Sequence, residues 1–311
     1  MIALAIPQVR ALEQTMERIL ITGATGFIGQ TLLKAWTGTA ELAVLTRAKA
    51  GVGQRLGLPE ARVFETPTAA AAFAPDVVVH LAGAGIADRR WSAARRALLR
   101  RSRIDTTRAL VDALRAAPPR QFLAASAIGY YGFDNPVIAD EHAPAGTGFA
   151  AELCAAWEAE SQRLGSAKTQ VTCLRLGLVL GQGGGLLARL LPPFRFGLGG
   201  RLGSGEQGMS WIHQEDVVGL FSWLRGHSSA PALVNATAPE PVSNQDFTRA
   251  LGQTLHRPTP FPLPATLVKG LFGEMGKELL LGGAYVNPAA ALAGGYGFRF
   301  PSLPAALAEL L

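Results

Sequence analysis

Short apolar runs alternate with stretches of helical periodicity along the first 180 residues of the chain. The apolar runs are rich in Val, Ile and Leu, which predicts buried strands, and apolar positions three and four residues apart predict helices between most of them. Six strands are predicted, at residues 18–22, 41–47, 62–65, 76–81, 121–126 and 171–176. This alternation predicts an α/β fold, a Rossmann-type doubly wound parallel sheet with helices on both faces.

The pattern changes beyond residue 181, where glycine and proline separate shorter pieces, for example at 183–185, 192–193, 197–205 and 261–264. Ser243 is placed to cap a helix start, and residues 304–311 predict a short closing helix. We predict a Rossmann domain over residues 16–180, to which later segments return, and a smaller C-terminal substrate lobe formed mainly by residues 181–311. Residues 1–15 are predicted to be an N-terminal extension.

A glycine run at residues 23–29 lies between the first strand and the first helical stretch. Glycine there permits a tight turn, lets the backbone approach a diphosphate and lets the helix pack on the strand, while the helix N-terminus favours an anion. A purely structural turn is the alternative, but the strand before and the helix after favour a dinucleotide site. The predicted contacts are Gly23, Thr25, Gly26, Phe27, Ile28 and Gly29.

The end of the second strand indicates which dinucleotide is bound. An acidic residue there would bond the ribose 2′-hydroxyl of NAD, whereas an arginine accommodates the 2′-phosphate of NADP. The strand ends in Thr46 and Arg47 without a carboxylate, which favours NADP(H) over an ordinary surface charge. The strand at 76–81 leads into small residues against which a cofactor can lie, and its His80 is interpreted as a packed core histidine.

Composition narrows the class of protein. The chain has 311 residues, 49% of them hydrophobic, and it is long enough to bury a large core. No apolar run approaches the length of a membrane span, so a cytoplasmic protein without a membrane partner is predicted. The two cysteines, Cys154 and Cys173, indicate neither a metal site nor a disulfide framework.

The net charge of +6 is concentrated in an arginine-rich segment, residues 89–115. Such a segment could bind nucleic acid through residues such as Arg96 and Arg100. Its leucines recur at helical spacing, however, and no nucleic-acid module accompanies it. We therefore predict an amphipathic helix with solvated arginines and no nucleic-acid partner.

Several further segments, taken in order with the glycine run, resemble one family. They are His80-Leu81-Ala82-Gly83, Arg90-Trp91, Ser102-Arg103-Ile104, Ser126-Ala127-Ile128-Gly129-Tyr130-Tyr131-Gly132, Arg175-Leu176-Gly177 and Ser210-Trp211-Ile212-His213 followed by Asp216. The chain resembles the atypical extended short-chain dehydrogenase/reductases of the nucleoside-diphosphate-sugar-epimerase-like subgroup. Residues 193–200 and 281–300 resemble that subgroup's own C-terminal region, so the resemblance covers nearly the whole chain.

The resemblance implies an NADP(H)-binding Rossmann fold with a C-terminal substrate lobe. It implies that Thr46 and Arg47 meet the adenosine-ribose phosphate and that Arg103 reaches the cofactor phosphates. It also implies that Leu81 and Ala82, with the small residue Gly83 beside them, line the cofactor.

The catalytic residues of the wider family are only partly present. That family uses a serine or threonine after the fifth strand and a Tyr-x-x-x-Lys pair on the next helix, in which the lysine lowers the pKa of the tyrosine. Ser126 matches the serine, but Phe149 and Leu153 stand where the tyrosine and the lysine are expected. None of the four tyrosines of the chain is followed four positions later by a lysine.

Three explanations remain open for the missing pair. In the first, Tyr130 or Tyr131 supplies the proton, and the protein is an NADP(H)-dependent oxidoreductase or epimerase-like enzyme. In the second, an acid takes that role, and the candidates are Asp140, Glu141, His142 and Glu152. In the third, the protein binds NADP(H) without turnover and acts as a regulator or sensor.

The substrate is not specified by the sequence beyond a small molecule, with anionic compounds and nucleotide sugars among the candidates. Arg175, Arg195 and Arg201 are predicted substrate contacts, with surface charge as the alternative. His213 and Asp216 are interpreted as a strand followed by an acidic helix start and not as catalytic groups.

Overall fold

The computed structural model describes residues 16–134, 137–227 and 229–311. The predicted N-terminal extension at 1–15 lies outside the described residues. Seven strands form the central sheet: β1 (Arg18–Thr22), β2 (Glu41–Leu45), β3 (Val63–Phe64), β4 (Val77–His80), β5 (Gln121–Ala127), β6 (Gln170–Leu176) and β11 (Leu233–Ala236).

The central sheet has the spatial order β11-β6-β5-β4-β1-β2-β3, and all of its neighbouring strands run parallel. This is the Rossmann order extended by one strand, and it confirms the predicted fold class. The six predicted strands are all present, although β2 ends at Leu45 instead of at residue 47. The chain leaves the sheet there, which frees Thr46 and Arg47 for the edge where open parallel sheets bind ligands.

Helices cover both faces of the sheet and continue into a second layer. They are α1 (Phe27–Trp36), α2 (Val52–Leu56), α3 (Pro67–Ala72), α4 (Ala93–Arg100), α5 (Thr106–Leu114), α6 (Phe149–Gln162), α7 (Leu187–Arg195), α8 (Gln214–Gly226), α9 (Asn244–Thr254), α10 (Ala265–Leu279), α11 (Ala289–Ala293) and α12 (Leu303–Leu310). Short 3₁₀ turns lie at Glu60–Arg62 and Ile128–Tyr131.

The C-terminal part of the chain builds a lobe with its own small sheets and core. Its strands are β7 (Leu178–Gly181), β8 (Gly184–Gly185), β9 (Gly208–Met209), β10 (Trp211–His213) and β12 (Val242–Ser243). Buried apolar side chains from β10 and from helices α7, α9 and α12 form this second core. The predicted cap of α9 is confirmed, because Ser243 Oγ accepts a hydrogen bond of 3.0 Å from the Asp246 amide.

Two later segments return to the first domain. Helix α8 packs beside α1, where Trp36 Nε1 donates to Ser222 Oγ at 2.9 Å. Strand β11 adds the seventh strand beside β6. The sequence pattern did not reveal β11, because its four residues are too few to show a period and its partner strand is about 60 residues away.

The arginine-rich segment forms one continuous helical rod. Helices α4 and α5 are joined by a π-helical turn at Arg101–Asp105. Leu99, Leu110 and Leu114 are buried while Leu98 is exposed. Several arginines pair with acidic residues: Arg96 with Glu274, Arg100 with Glu152, Arg108 with Glu160. The predicted amphipathic helix is therefore confirmed.

None of the helices in the described ranges has both the length and the apolar composition that crossing a bilayer requires.

Candidate functional site

Two cavities lie side by side over the carboxyl edge of the central sheet. The first, here the glycine-loop cavity, has a volume of about 440 Å³ and lies at the ends of β1, β2 and β4. Eight predicted cofactor residues line it: Gly23, Thr25, Gly26, Thr46, Arg47, Leu81, Ala82 and Gly83. Arg101, Ser102 and Thr106 from the arginine-rich rod also line it, in addition to the cofactor residues predicted from the sequence.

The glycine loop is shaped by close backbone contacts. Gly23 has a φ of +70°, and a Cβ at this position would lie 2.7 Å from the Leu81 carbonyl atoms at the end of β4. A Cβ on Gly29 would lie 2.5 Å from the Gly23 carbonyl oxygen. Both glycines therefore bring the loop, the sheet and α1 closer together than any other residue allows.

The N-terminus of α1 faces this cavity without a partner of its own. Gly26 is the N-cap and has no side chain to accept from the first turn, and that turn contains no acidic residue. Free amides and the helix dipole at this place favour an anion.

Three predicted cofactor residues lie just behind the cavity wall. Gly29 and Ile28 belong to the first turn of α1, and Ile28 packs against the apolar core. Phe27 lies under the β7–β8 hairpin of the lobe, where a Cβ on Gly184 would come within 2.3 Å of its ring. This contact brings the lobe against the glycine loop.

Arg103 lies behind Gly83, with its guanidinium carbon 3.2 Å from where a Gly83 Cβ would be. It faces the ring of Trp157 at 5.1 Å from the centroid. Its Nη1 is buried and has no hydrogen-bond partner among the described residues, and burial lowers the pKa of Arg103. A buried guanidinium nitrogen without a partner is destabilising, so an anion at this position would stabilise the site.

His80 ties three elements of this site together, as expected of a packed core histidine. The Thr22 hydroxyl accepts from the amides of Leu81 and Ala82 at 3.2 Å, which leaves its proton for His80 Nδ1 at 2.7 Å. The opposite nitrogen, Nε2, therefore carries the imidazole proton and lies 2.8 Å from Thr107 Oγ1 on α5. The neutral imidazole thus fixes the end of β4 against β1 and the arginine-rich rod.

Burial lowers the pKa of His80 from 6.5 to about 4. As the pH falls below 6.5, the unfolded chain takes up a proton that the folded protein does not, so the folded state loses stability down to about pH 4. We expect the free energy of unfolding to fall by about 2 kcal/mol between roughly pH 7.5 and 5 from this group. Urea denaturation at several pH values would measure it.

His80→Gln should flatten this pH dependence, because the amide does not titrate. His142→Gln is the matched control, since the His142 side chain is 91% exposed and its loss should leave the slope unchanged. An unchanged slope in His80→Gln would contradict a buried neutral imidazole.

A second polar cluster lies at the ends of β5, β6 and β11, where register places Ser126, Arg175 and Asn235 side by side. Both Glu158 oxygens accept from Arg175, from Nε and Nη2 at 2.9 Å each, and Ser126 Oγ donates to the same carboxylate at 2.6 Å. Arg175 Nη1 donates to the Tyr131 hydroxyl at 2.9 Å. We call these residues and Tyr131 the buried network.

The buried network engages two of the three predicted catalytic residues. Tyr131 is 1% exposed, and its hydroxyl donates to Asn235 Oδ1 at 2.7 Å. Burial raises the pKa of Tyr131, against the opposing effect of Arg175. Tyr130 is half-buried, and its ring centroid lies 3.5 Å from the Arg175 guanidinium carbon. Tyr130, Tyr131 and Ser126 do not belong to the described residues that line the two cavities.

Arg175, which was predicted to contact substrate, is part of the buried network. It is 1% exposed, and its nitrogens bond Glu158 and Tyr131. The reason lies in the sheet register, which puts Arg175 between Ser126 and Asn235 and directs it under the surface.

The candidate acids also have structural partners. Glu141 accepts from the amides of Asn235 and Ala290, and Glu152 pairs with Arg100. Asp140 accepts from the His142 amide. Asp216, which was interpreted as the acid of a helix start and not as a catalytic group, lies in the first turn of α8 and accepts from the amides of Arg299 and Phe300 outside that helix.

The second cavity, here the lobe cavity, has a volume of about 510 Å³ and lies between the sheet edge and the C-terminal lobe. Ile128 follows β5 and Leu178 follows Leu176 at the end of β6, and both line it. The buried network therefore supports the backbone directly beneath this cavity. Arg195 and Arg201 do not belong to its lining; both residues are exposed, and the Arg201 guanidinium bonds the Ser204 carbonyl.

A glycine loop between the first strand and the first helix of a Rossmann sheet, with a lobe cavity beside it, is typical of dinucleotide-binding α/β proteins. Residues 19–236 match the model of the NAD dependent epimerase/dehydratase family, and residues 263–310 match a domain of unknown function, DUF1731. The chain belongs to the NAD dependent epimerase/dehydratase family, which confirms the predicted resemblance.

Similar proteins extend over the whole described fold. The epimerase family protein Mb2239 of Mycobacterium bovis is 39% identical over 93% of this chain and 96% of its own. Human epimerase family protein SDR39U1 is 35% identical over 94% and 99% of the two chains. The crystal structure of isoform 2 of the human protein with NADPH superposes with a TM-score of 0.85, covering 94% of this chain and 98% of that one at 33% identity.

Proposed function

We propose that the protein binds NADP(H) in the glycine-loop cavity and acts on a small molecule in the lobe cavity as an oxidoreductase or epimerase-like enzyme. The observation that carries this proposal is the juxtaposition of Arg47, the free N-terminus of α1 and the small residues after β4 in one cavity. The NADPH in the structure of the human relative supports the same cofactor.

The cavity residues fit the parts of this dinucleotide. The amides of the glycine loop and the start of α1 would hold the diphosphate, with Arg103 beneath Gly83 as a further cation. Thr46 and Arg47 would meet the 2′-phosphate. When bound, the nicotinamide ring would supply hydride exchange with a carbon of the substrate. The adjoining lobe cavity is where we place that substrate.

Reversing the charge at Arg47 tests the proposed cofactor site. Arg47→Glu should weaken NADPH binding by roughly 30-fold, because losing a charge-assisted contact with the 2′-phosphate costs about 2 kcal/mol. NADH binding should change little, since NADH lacks that phosphate. Isothermal titration calorimetry measures both affinities.

Arg55→Glu is the matched control, because Arg55 is exposed on α2 next to the cavity but does not line it. NADPH affinity should be retained in this variant. An absence of NADPH uptake by the unaltered protein, or equal losses in the two variants, would contradict the proposed site.

A second function, a catalytically silent NADP(H)-dependent regulator, is favoured by one observation. The hydroxyls of Ser126 and Tyr131 are bonded within the buried network, and buried Phe149 and Leu153 stand where the wider family has its proton-transfer pair. Incubation with NADPH and a panel of carbonyl compounds and nucleotide sugars separates the two functions. NADPH oxidation supports the enzyme, and binding without oxidation supports the regulator.

Catalytic roles for Ser126, Tyr130 and Tyr131 stay predictions, as do substrate contacts by Arg175, Arg195 and Arg201. Of these side chains, Tyr130 retains the strongest case, because it is half-buried and lies next to Gly129 in the cavity wall. We also propose a cytoplasmic location, because no apolar run in the sequence approaches the length of a membrane span.

A further inference from the structure

The lobe cavity has the volume of a site for a small organic molecule, about 510 Å³. Its wall is assembled from segments that are far apart in the chain, and apolar side chains dominate it. Leu190 and Phe194 come from α7, and Met209 and Phe247 come from β9 and α9. These side chains offer contact area and few hydrogen bonds.

Glycine backbone closes the remaining gaps in this wall. A Cβ on Gly200 would lie 1.8 Å from the Phe261 carbonyl oxygen, and one on Gly283 would lie 2.2 Å from the Gly208 oxygen. The segments around Gly200 and Phe261 are also joined by backbone hydrogen bonds, such as Leu263 N to Arg201 O at 2.9 Å. The wall is therefore closely packed. A ligand with large polar groups could be accommodated only by displacing contacts that the wall segments already make with one another.

The ionisable side chains of the wall disfavour the binding of an anionic ligand. Glu278 is the single ionisable side chain among the described residues that line the cavity. Its two oxygens accept from the amides of Phe149 and Ala150 at 3.0 Å each, which holds the carboxylate at the N-terminus of α6. A diphosphate placed here would lose its hydration, find no cation and meet a carboxylate.

The rim of the cavity is apolar as well. Leu198 and Phe261 line it and are 62% and 59% exposed, and Phe196 beside them is 82% exposed. Exposed large apolar side chains grouped at a cavity opening are typical of a ligand-binding site.

We propose that the lobe cavity binds an uncharged, predominantly apolar ketone or alcohol and excludes nucleotide sugars. The proposal rests on the proposed function, which supplies the nicotinamide for such a group. To that function the proposal adds the chemical class of the substrate.

The experiment uses Nile red, an uncharged apolar dye, as a fluorescent reporter of cavity occupancy in the full chain. Benzophenone and 2-undecanone serve as competitors, with UDP-glucose and UDP as the anionic alternatives. We expect the two ketones to displace the dye at concentrations at least about a hundredfold lower than UDP-glucose. Displacement by UDP-glucose at lower concentrations than the ketones would overturn the proposal.

Rim variants test whether the dye reports this cavity. Leu198→Glu and Phe261→Glu should each weaken ketone binding at least about tenfold, because a carboxylate would enter the apolar opening. Leu271→Glu is the matched control: Leu271 is 51% exposed on α10 but does not line the cavity. Equal losses in all three variants would show binding elsewhere on the surface and overturn the proposal.

NADPH calorimetry on the same samples keeps the two proposals apart. Unchanged NADPH affinity in Leu198→Glu shows an intact fold and cofactor site. A failure of the unaltered protein to bind NADPH would reject the proposed function, while ketone displacement without NADPH would still report the cavity's preference. Ketone binding that fails while NADPH binds would reject only the substrate class.

Discussion

Replacing Glu158 with alanine is expected to lower the free energy of unfolding by about 3–5 kcal/mol. The Glu158 carboxylate is the bidentate partner of Arg175, and their side chains are only 9% and 2% exposed. Removing it leaves a guanidinium buried in the sheet edge without its counter-charge and takes the acceptor of Ser126 away. Urea denaturation followed by circular dichroism measures the loss.

Asp112→Ala is the control, because Asp112 also pairs with an arginine, Arg163, but at the surface, where the two side chains are 50% and 35% exposed. That variant should lose less than about 1 kcal/mol. The double replacement Glu158→Leu with Arg175→Met should recover much of the loss, since no buried charge remains. A Glu158→Ala protein as stable as the Asp112→Ala protein would show that the buried pair is not what stabilises this edge.

The second large effect is expected at the glycine loop. Gly23→Ala should lower the free energy of unfolding by about 3 kcal/mol. The alanine would have to adopt a left-handed backbone conformation, and its Cβ would lie too close to the Leu81 backbone at the end of β4. NADPH binding should fall below detection by calorimetry, because relief of the contact moves the amides away from the diphosphate. Thermal unfolding with and without NADPH measures both consequences in one experiment.

Gly38→Ala separates the two causes. Gly38 has a φ of +82°, and a Cβ there would have nothing within 4 Å. This variant carries only the backbone strain, about 1 kcal/mol, and should bind NADPH normally. If the two variants behaved alike, the close approach of Gly23 to Leu81 would have no role in shaping the cofactor site.

The two replacements probe two halves of one sheet edge. Gly23 belongs to the glycine-loop cavity, whereas Glu158 holds the strand ends beneath the lobe cavity. We expect Glu158→Ala to affect NADPH binding less than Gly23→Ala does. A cofactor held mainly by the first half and a substrate held over the second is the arrangement that the proposed function requires.

The glycine loop and Arg47 were predictable because their information is local. Gly23, Gly26 and Gly29 are separated by only a few residues, and the strand before them and the helix after them show their own periods in the sequence. The same holds for the arginine-rich rod, whose leucines follow a helical repeat.

The interpretation of Arg175 shows where local information ends. At the end of a strand it matched the expectation of a ligand contact, but its direction depends on the register with β5 and β11 and on Glu158, which lies 17 residues away on α6. Tyr131 is buried for the same reason, since Asn235 comes from a strand more than 100 residues later. No spacing in the sequence specifies such pairs.

By itself, the sequence determined the Rossmann core and the glycine loop and predicted NADP(H), because each depends on neighbouring residues that impose their own backbone conformation. The tertiary structure alone decided which polar side chains are buried in the network and which surfaces enclose the lobe cavity. Its wall combines α7, α9 and the 261–263 segment, whose side chains meet only after the lobe has packed on the sheet. Among the described residues, that wall contains no cationic side chain, and this is a property of the packing, because the arginines of the same segments remain outside it.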